Sequence, residues 1–600
     1  MIKLSDYVFK FIAEQKVKHV FIISGGGCMH LVDSLGKNKD LEYVCCLHEQ
    51  ACAFAAEAYG EYTNHIGVAL VTTGPGGTNC VTGVAAAWIE SSSCLFISGQ
   101  AKRSDLIADS GVRSMGQQEV DIVSIVKPIT KYAITVMDPL KIKYYLGKAV
   151  YSASHGRPGP VWIDIPLDVQ AEMIDEEILD SFDAEKEKIE VVNKNIGEEV
   201  GKAIEIIKSS TRPVFLIGNG IRTGKAIENF IELLNKIRIP VLLTWKALDV
   251  LSEDHPLYRG RPGGIGQRAA NFTQQNSDCI IIIGARLDMP SLAFDHKSFA
   301  RAAKKIMVDI HCAEIKKIRT LIDVPICTDA KIFLEEVLKQ SDKLKGYHVN
   351  LWLEKTSEWY KKYPVVLPEY RKAGLDYVST YYLVEILSEE LLSSDLIVPG
   401  SAGAASDILM QSFKVKKGQR VLNAPGLGAM GTGIPGTIGA CLASGRKRTI
   451  CINGDGGFQL NIQELETVRR LNLPIKYFVL NNDGYGSIRS SQRSHFQERI
   501  TGADSKSGVT LPDIKKIAYV YGIKTFTVSD NSDLRRGVKK VISTDGPVIC
   551  EVMVDPNEKT IPRVTAHLLP DGRIVSGSME DMYPLLDREE FKKNMLIPPF

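Results

Sequence analysis

Short runs of apolar, often β-branched residues, each ending in glycine or proline, recur along the chain and alternate with stretches of helical pattern. HVFIISGGG (19–27), HIGVALVTTGPGG (65–77), CLFISGQ (94–100) and GPVWIDIP (159–166) open the series, with EQACAFAAEAYGEY (49–62) as a helical segment between them. Runs with no polar alternation belong to strands covered on both faces. Strands of that kind alternating with helices predict an α/β fold of doubly wound parallel sheets.

The alternation breaks twice. Residues 171–192 turn charged (AEMIDEEILDSFDAEKEKIE and beyond), as a linker does. A second series follows in PVFLIGNG (213–220), PVLLTW (240–245), DCIIIIGAR (278–286) and KIMVDIH (305–311), closed by a polar stretch near 340–375. The third holds LIVPGS (396–401), RTICINGDG (448–456), IKYFVLNNDG (475–484) and GPVICEVMV (546–554). The chain of 600 residues therefore divides into domains at 1–170, 190–340 and 375–555, with a tail at 556–600 that lacks the pattern. The first and third blocks share length and layout, which suits two domains facing each other.

Charge narrows the function. Lysine plus arginine number 73 against 71 acidic residues, so no net field invites nucleic acid or an anionic membrane. No apolar run approaches the roughly 18 residues of a membrane span, and the N-terminus MIKLSDYVFKFIAEQ lacks a signal-peptide core. The 12 cysteines include no CxxC, so free, mostly buried thiols are expected rather than a zinc site or a disulfide framework. These features describe a cytoplasmic protein acting on small molecules.

The sharpest chemical signal is GDGGFQLN (454–461) after one strand and Asn481-Asn482-Asp483-Gly484 after the next. Either alone reads as a turn. Together, with 27 residues from Asp455 to Asn482, they suit a strand end, a helix and the adjacent parallel strand, placing both side chains at one carboxyl edge. A carboxylate, an amide oxygen and the Gly484 carbonyl make a sparse oxygen set of the kind Mg²⁺ takes together with phosphate. Gly456 and Gly457 let backbone approach an anion at the helix start.

That pair resembles the diphosphate and magnesium motif of thiamine-diphosphate-dependent enzymes. Cys46-Leu47-His48-Glu49-Gln50, Thr73-Gly74-Pro75-Gly76-Gly77-Thr78-Asn79, Gly156-Arg157-Pro158-Gly159-Pro160 and Gly426-Leu427-Gly428-Ala429-Met430-Gly431 resemble, in the same order, segments of acetohydroxyacid synthase and its relatives. The resemblance covers about 1–555 and implies pyrimidine-binding, central and diphosphate-binding domains, with active sites between chains of a homodimer or homotetramer. It implies that Glu49 exchanges a proton with the aminopyrimidine and that Gln118 orients the donor, as catalytic residues; His48 is read as a structural neighbour. Cofactor contacts fall by the same resemblance on Thr73, Gly74, Asn79, Gly400, Ser401, Ala402, Gly428, Met430, Gly456, Gly457, Tyr485 and Gly486, and metal ligands on Asp455, Asn482 and Gly484. Arg157, Gly218, Gly220, Gly260, Gly263, Arg286 and Asp309 resemble flavin-contacting positions, which implies FAD, although relatives exist that carry another nucleotide or none.

Two departures bear on substrate. Gly400-Ser401-Ala402-Gly403 stands where the synthases carry Gly-Gln-His-Gln. At the positions that seat their second keto acid, Ser487 replaces methionine, Ser491 tryptophan and Gln117 phenylalanine, with Arg489 nearby. A site stripped of apolar contacts holds a small keto acid poorly and a hydroxylated acceptor better. The tail resembles that of a synthase-like subgroup of surface-polysaccharide clusters, including the flavin-containing carboligase of yersiniose biosynthesis. The reading is a carboligase that decarboxylates pyruvate or a similar 2-keto acid and transfers the two-carbon unit to a keto-sugar or sugar nucleotide. The alternatives are an acetolactate synthase, or a decarboxylase or oxidase of the same superfamily. The glycines at 25–27 lack the GxGxxG spacing of a dinucleotide-dependent dehydrogenase, and intact Glu49, Asp455 and Asn482 count against a non-catalytic protein.

Overall fold

The computed structural model describes residues 1–186, 193, 195–374, 376–400, 403–496, 498–568, 571 and 573–599. Three parallel sheets, each flanked by helices, carry the chain. The first is ordered Glu42–Cys45, His19–Ile22, Gly67–Val71, Cys94–Gln100, Pro160–Pro166, Tyr132–Thr135. The third is ordered Arg420–Val421, Leu396–Pro399, Thr449–Gly454, Ile475–Asn481, Val548–Met553, Lys524–Val528. Numbered along the chain within each unit, both run 2-1-3-4-6-5, so the similarity of layout extends to topology. The central sheet runs Val241–Leu243, Pro213–Ile217, Cys279–Ile283, Lys304–Asp309, Val324–Cys327.

In each sheet the winding reverses between the first and third strands, and ligands of such folds collect at the carboxyl ends there. In the third sheet those two ends lead into Gly400 and Asp455; in the central sheet they lead into Gly218–Gly220 and Gly284–Arg286. The candidate residues sit at switch points because the chain leaves the sheet there.

Small side chains set the spacing between the outer two units. The helix Glu49–Thr63 has alanine or glycine at 51, 53, 55, 56, 58 and 60 and lies against the helices Pro75–Glu90 and Gly433–Ala443. A β-carbon on Gly439 would stand 2.0 Å from the Ala55 carbonyl oxygen, and one on Gly67 1.8 Å from that of Ala56, so only glycine permits this approach. The neighbouring helices thereby share one buried cluster that runs from Phe21 to Ile549.

The patternless tail has structure of its own, and the expectation of free cysteines needs correction. The tail is built into the fold: it forms an antiparallel pair, Ala566–Leu568 with Ile574–Ser576, and a helix, Arg588–Asn594. Met579 and Met582 are buried in the central unit, and Arg268 donates to the Met582 carbonyl at 3.1 Å. Its residues pair with a specific polar helix, Arg268–Gln275, which is why no repeating pattern marks it. The cysteines are not all free either, since Cys312 and Cys327 form a disulfide between the start of a helix and a strand end. Nine of the other ten are buried thiols and Cys45 is exposed. The charged stretch after residue 170 begins with Met173–Ile174 pairing antiparallel with Ile2–Lys3; 187–192 and 194 lie outside the described residues. Among the described residues no helix is long and apolar enough to cross a membrane.

Candidate active site

Asp455 opens a short helix at the end of its strand and is buried. Its Oδ2 accepts the backbone N–H groups of Asn482 at 3.1 Å and Gly484 at 3.0 Å, while Oδ1 accepts that of Gly456 at 2.7 Å. Burial raises its carboxyl to about 6 against the pull of these three donors. The Asn482 amide faces Gly484 O at 2.8 Å and Asp455 Oδ1 at 3.1 Å. With nitrogen inward it donates to both; with oxygen inward three acceptors converge. Oxygen ligands of an octahedral Mg²⁺, at about 2.1 Å from the ion, stand about 3 Å from their neighbours. The corner therefore fits such a cation. Tyr485 packs where a β-carbon on Gly456 would lie, 2.5 Å from its ring.

Arg489, a substrate candidate from the sequence, is buried and outside the cavity lining described below. It is 2% exposed, and its guanidinium donates to the carbonyls of Asn482 at 2.7 Å, Asp483 at 3.0 Å and Pro556 at 2.9 Å. One turn into the helix Gly486–His495, it is long enough to reach back and brace the loop that carries Asn482 and Gly484.

A cavity of about 500 Å³ opens at the junction of the three units. The central sheet supplies Gly218, Gly220, Arg286 and Asp309; Gly263 and, from the first unit, Arg157 join them; Gly403, Gly428 and Ser487 come from the third. Arg157 donates to Ser91 Oγ at 2.8 Å and pairs with Glu314 at 2.5 Å. Asp309, at a strand end, is half-buried, and burial holds its carboxyl above the usual range. A β-carbon on Gly218 would lie 2.2 Å from the Gly284 carbonyl oxygen, so bare backbone forms this wall. In the same wall the buried Gln274 Oε1 has no hydrogen-bond partner among the described residues. Gly260 is not among the lining residues; its carbonyl accepts the Leu243 N–H at 3.0 Å, beside the strand Val241–Leu243.

Ser487 reaches the cavity, and its Oγ would stand 3.0 Å from a β-carbon on Gly403. Ser491 and Gln117 are exposed and outside the lining. Two polar groups that sequence reasoning missed join Ser487: Ser406, which is buried, and Asp407, whose carboxyl burial lifts to about 6 against the charge of Arg563. An acid one turn into a helix gives no local signal of facing a cavity. Ser401 and Ala402 lie outside the described residues. Gly400 directly follows its strand, and Met430 is 38% exposed on the segment after Gly428. Gly457 and Gly486 flank the Asp455 corner, on the two helices that start there.

Glu49 begins its helix, with His48 as the cap: His48 Nδ1 accepts the Gln50 N–H at 3.0 Å. Asn79 donates to Glu49 Oε2 at 2.9 Å. Both sides of Glu49 are tied to the third unit, by Leu47 N–H to Glu464 Oε1 at 2.7 Å and by Asn461 Nδ2 to Gln50 Oε1 at 2.9 Å. Thr73 donates to Gln100 Oε1 at 2.8 Å and to the Gln118 carbonyl at 3.1 Å. Gly74, at φ +62°, lets that carbonyl come close, 2.5 Å from where a β-carbon would sit. None of Glu49, Thr73, Gly74, Asn79, Gln117 and Gln118 lines the cavity. Asp455, Asn482 and Gly484 are likewise outside that lining.

Three family models match the chain in order: the thiamine pyrophosphate enzyme N-terminal TPP binding domain at 2–125, the central domain at 200–337 and the C-terminal TPP binding domain at 401–552. The chain belongs to the thiamine pyrophosphate enzymes. Within that family it is similar to the acetolactate synthase large subunit of Cyanidium caldarium, 33% identical over 563 residues, which cover 92% of this chain and 93% of the relative. The probable acetolactate synthase large subunit of Methanococcus aeolicus is 32% identical over 567 residues, 92% of each chain. Acetolactate synthase isozyme 1 large subunit of Escherichia coli K12 is 29% identical over 561 residues, 93% of this chain and 95% of its own. The protein is a thiamine-diphosphate-dependent enzyme of the acetolactate synthase-like, 2-keto acid carboligase type.

Proposed function

We propose that the enzyme decarboxylates a 2-keto acid, pyruvate in the first instance, and joins the two-carbon unit to the carbonyl of a keto-sugar or sugar nucleotide. The observation that carries this reading is the polar end of the cavity, where Ser406, Asp407 and Ser487 stand beside Gly403 and Gly428. A carboxylate and two hydroxyls match the donors and acceptors of a polyhydroxylated acceptor and leave a methyl ketone without apolar contact. Similarity of the tail to the branched-sugar carboligases, from sequence, agrees.

Asp455, Asn482 and the Gly484 carbonyl hold Mg²⁺ in this reading, with the N–H groups around Gly456 and Gly457 on the diphosphate. When bound, thiamine diphosphate supplies the electron sink that decarboxylation needs. Glu49, held in orientation by Asn79, moves a proton at the pyrimidine ring. By resemblance to the family, a second copy supplies Glu49 to each site, and the working unit is a homodimer or homotetramer. Arg157, Gly218–Gly220, Arg286 and Asp309 hold FAD; the bare backbone, the strand-end acid and the unpartnered Gln274 Oε1 suit a dinucleotide. A second reading, an acetolactate synthase with pyruvate as acceptor, is favoured by the names of the relatives at 29–33% identity.

The test is CO₂ release from pyruvate with Mg²⁺ and thiamine diphosphate, with and without a keto-sugar nucleotide, on protein whose absorbance has been recorded. Release that rises tenfold with the sugar establishes the carboligation to sugar. Full release without sugar and acetolactate as product transfers the enzyme to the second reading. A spectrum without flavin bands overturns the FAD assignment alone.

A further inference from the structure

A cluster of buried charge where the three units meet has no role in the chemistry above. Lys246, on the loop after the central strand Val241–Leu243, is enclosed together with Glu61 and Glu90 of the first unit; their side chains are 14%, 8% and 4% exposed. Its ammonium donates to Glu61 Oε2 at 2.8 Å and to the Asn423 carbonyl, and lies 3.4 Å from Glu90 Oε2. Two hydrogen bonds and one ion pair thus hold the ammonium of Lys246 to protein partners, although it lines the cavity. Burial alone would discharge the amine, but Glu61 and Glu90 above all outweigh it and keep the ammonium charged. Glu57, bonded by Ser92 Oγ at 2.8 Å, is pushed well up by burial and adds little charge at neutral pH.

The other oxygen of Glu90 accepts the N–H of Gly426 at 2.5 Å. Gly426 is enclosed: a β-carbon there would lie 2.6 Å from Ile89 Cγ2, 2.7 Å from Glu90 Oε1 and 3.1 Å from Arg286 Nη2. Two residues on is Gly428, and four on is Met430, the segment read as the cofactor's seat. The segment is thus gripped at Asn423 by Lys246 and by the Trp245 carbonyl, which accepts Asn423 Nδ2 at 3.1 Å, and at Gly426 by Glu90. All three grips come from outside the unit to which the segment belongs.

We infer that Glu90 and Lys246 are positioning residues for thiamine diphosphate: their ion pair fixes the Gly426–Met430 segment in the place where it meets the cofactor. The Glu90 carboxylate sets the segment's height through Gly426, and Lys246 fixes Glu90 by holding its second oxygen. Neither touches the reacting atoms.

The experiment compares Glu90→Ala, Glu90→Gln and Lys246→Met in the full-length enzyme. Read out are thiamine diphosphate affinity by tryptophan fluorescence at saturating Mg²⁺, kcat for CO₂ release at saturating cofactor, and melting temperature without cofactor. Glu90→Ala is expected to weaken cofactor binding at least tenfold while kcat at saturation falls less than threefold. Glu90→Gln, which keeps an oxygen for Gly426, should recover affinity to within about threefold of the parent. Lys246→Met leaves the acceptor in place but unclamped and falls between the two; it also serves if Glu90→Ala does not fold. Unchanged affinity in both Glu90→Ala and Lys246→Met, or equal weakening by alanine and glutamine at position 90, overturns the inference. So does a loss of affinity matched by an equal loss in kcat, since that signals general damage.

Discussion

The Asn482 side-chain amide lies 3.1 Å from Oδ1 of Asp455, across two adjacent strand ends that 27 residues of chain separate. Their meeting depends on parallel pairing of Thr449–Gly454 with Ile475–Asn481, which brings both carboxyl ends to one edge. Asp455→Ala removes the one carboxylate of this corner. Cofactor binding in the presence of Mg²⁺ should weaken at least 100-fold, and calorimetric titration with and without Mg²⁺ should show the metal dependence abolished. Binding that still responds to Mg²⁺ in the variant would remove Asp455 from the metal site.

Glu49 keeps its geometry through Asn79 and through the bonds of Leu47 and Gln50 to Glu464 and Asn461. Replacing only the acid, in Glu49→Gln, should lower kcat for CO₂ release by about 10² to 10⁴, the range for loss of a proton-transfer group. Cofactor affinity should stay within a few-fold. Steady-state CO₂ release and a fluorescence titration separate the two.

Asp164 is buried in the first unit, where it accepts Ser98 Oγ at 2.5 Å, Gln100 Nε2 at 3.1 Å and Thr135 Oγ1 at 3.1 Å. Burial nonetheless raises its carboxyl to about 7, outweighing those three donors. A raised acid binds its proton more tightly in the folded state. The associated stability is full below the unfolded value near 4 and is lost as pH rises towards 7. Its ceiling, at 1.4 kcal/mol per pH unit, is about 4 kcal/mol. Urea unfolding at pH 5 and pH 8 should show a smaller fall between the two for Asp164→Asn than for the parent. Equal falls would show that Asp164 does not titrate in this window.

The contact between Gly439 and Ala55 leaves no room for a methyl group. Gly439→Ala must push apart a pair of helices that share a core, at a cost of about 1–3 kcal/mol for overpacking. The melting temperature should drop by several degrees, read by differential scanning calorimetry. A variant as stable as the parent would mean that the helices separate freely.

Asp407 and Ser487 line the polar end of the cavity. Asp407→Ala should raise KM for a hydroxylated acceptor about tenfold and leave KM for pyruvate within twofold, by coupled assay at saturating cofactor. Loss of flavin absorbance in the same variant would instead assign Asp407 to the flavin. Equal effects on both substrates would assign it to neither.

Edge strands escaped the reading of the chain, and for a common reason. Glu42–Cys45, Tyr132–Thr135 and Lys524–Val528 are short and partly exposed, so they carry neither a continuous apolar run nor a clear alternation. The central strands, such as Cys279–Ile283, are buried at every position and announce themselves. The site divides in the same way. Arg489 and Ser487 are two residues apart on one helix, yet one is sealed beneath the Asn482 loop and the other faces the cavity.

Local order along the chain determined the fold class, the strand ends and the motifs of a thiamine-diphosphate enzyme, because strand period, glycine placement and motif spacing are properties of neighbours in sequence. Tertiary structure alone decided which side chains share a space. Leu47 and Glu464 are 417 residues apart, Glu90 and Gly426 are 336 apart, and the tail's Met582 carbonyl is 314 from Arg268. Such pairs follow from how three units dock, a sum of many weak contacts between distant surfaces, and no local pattern of residues encodes that sum.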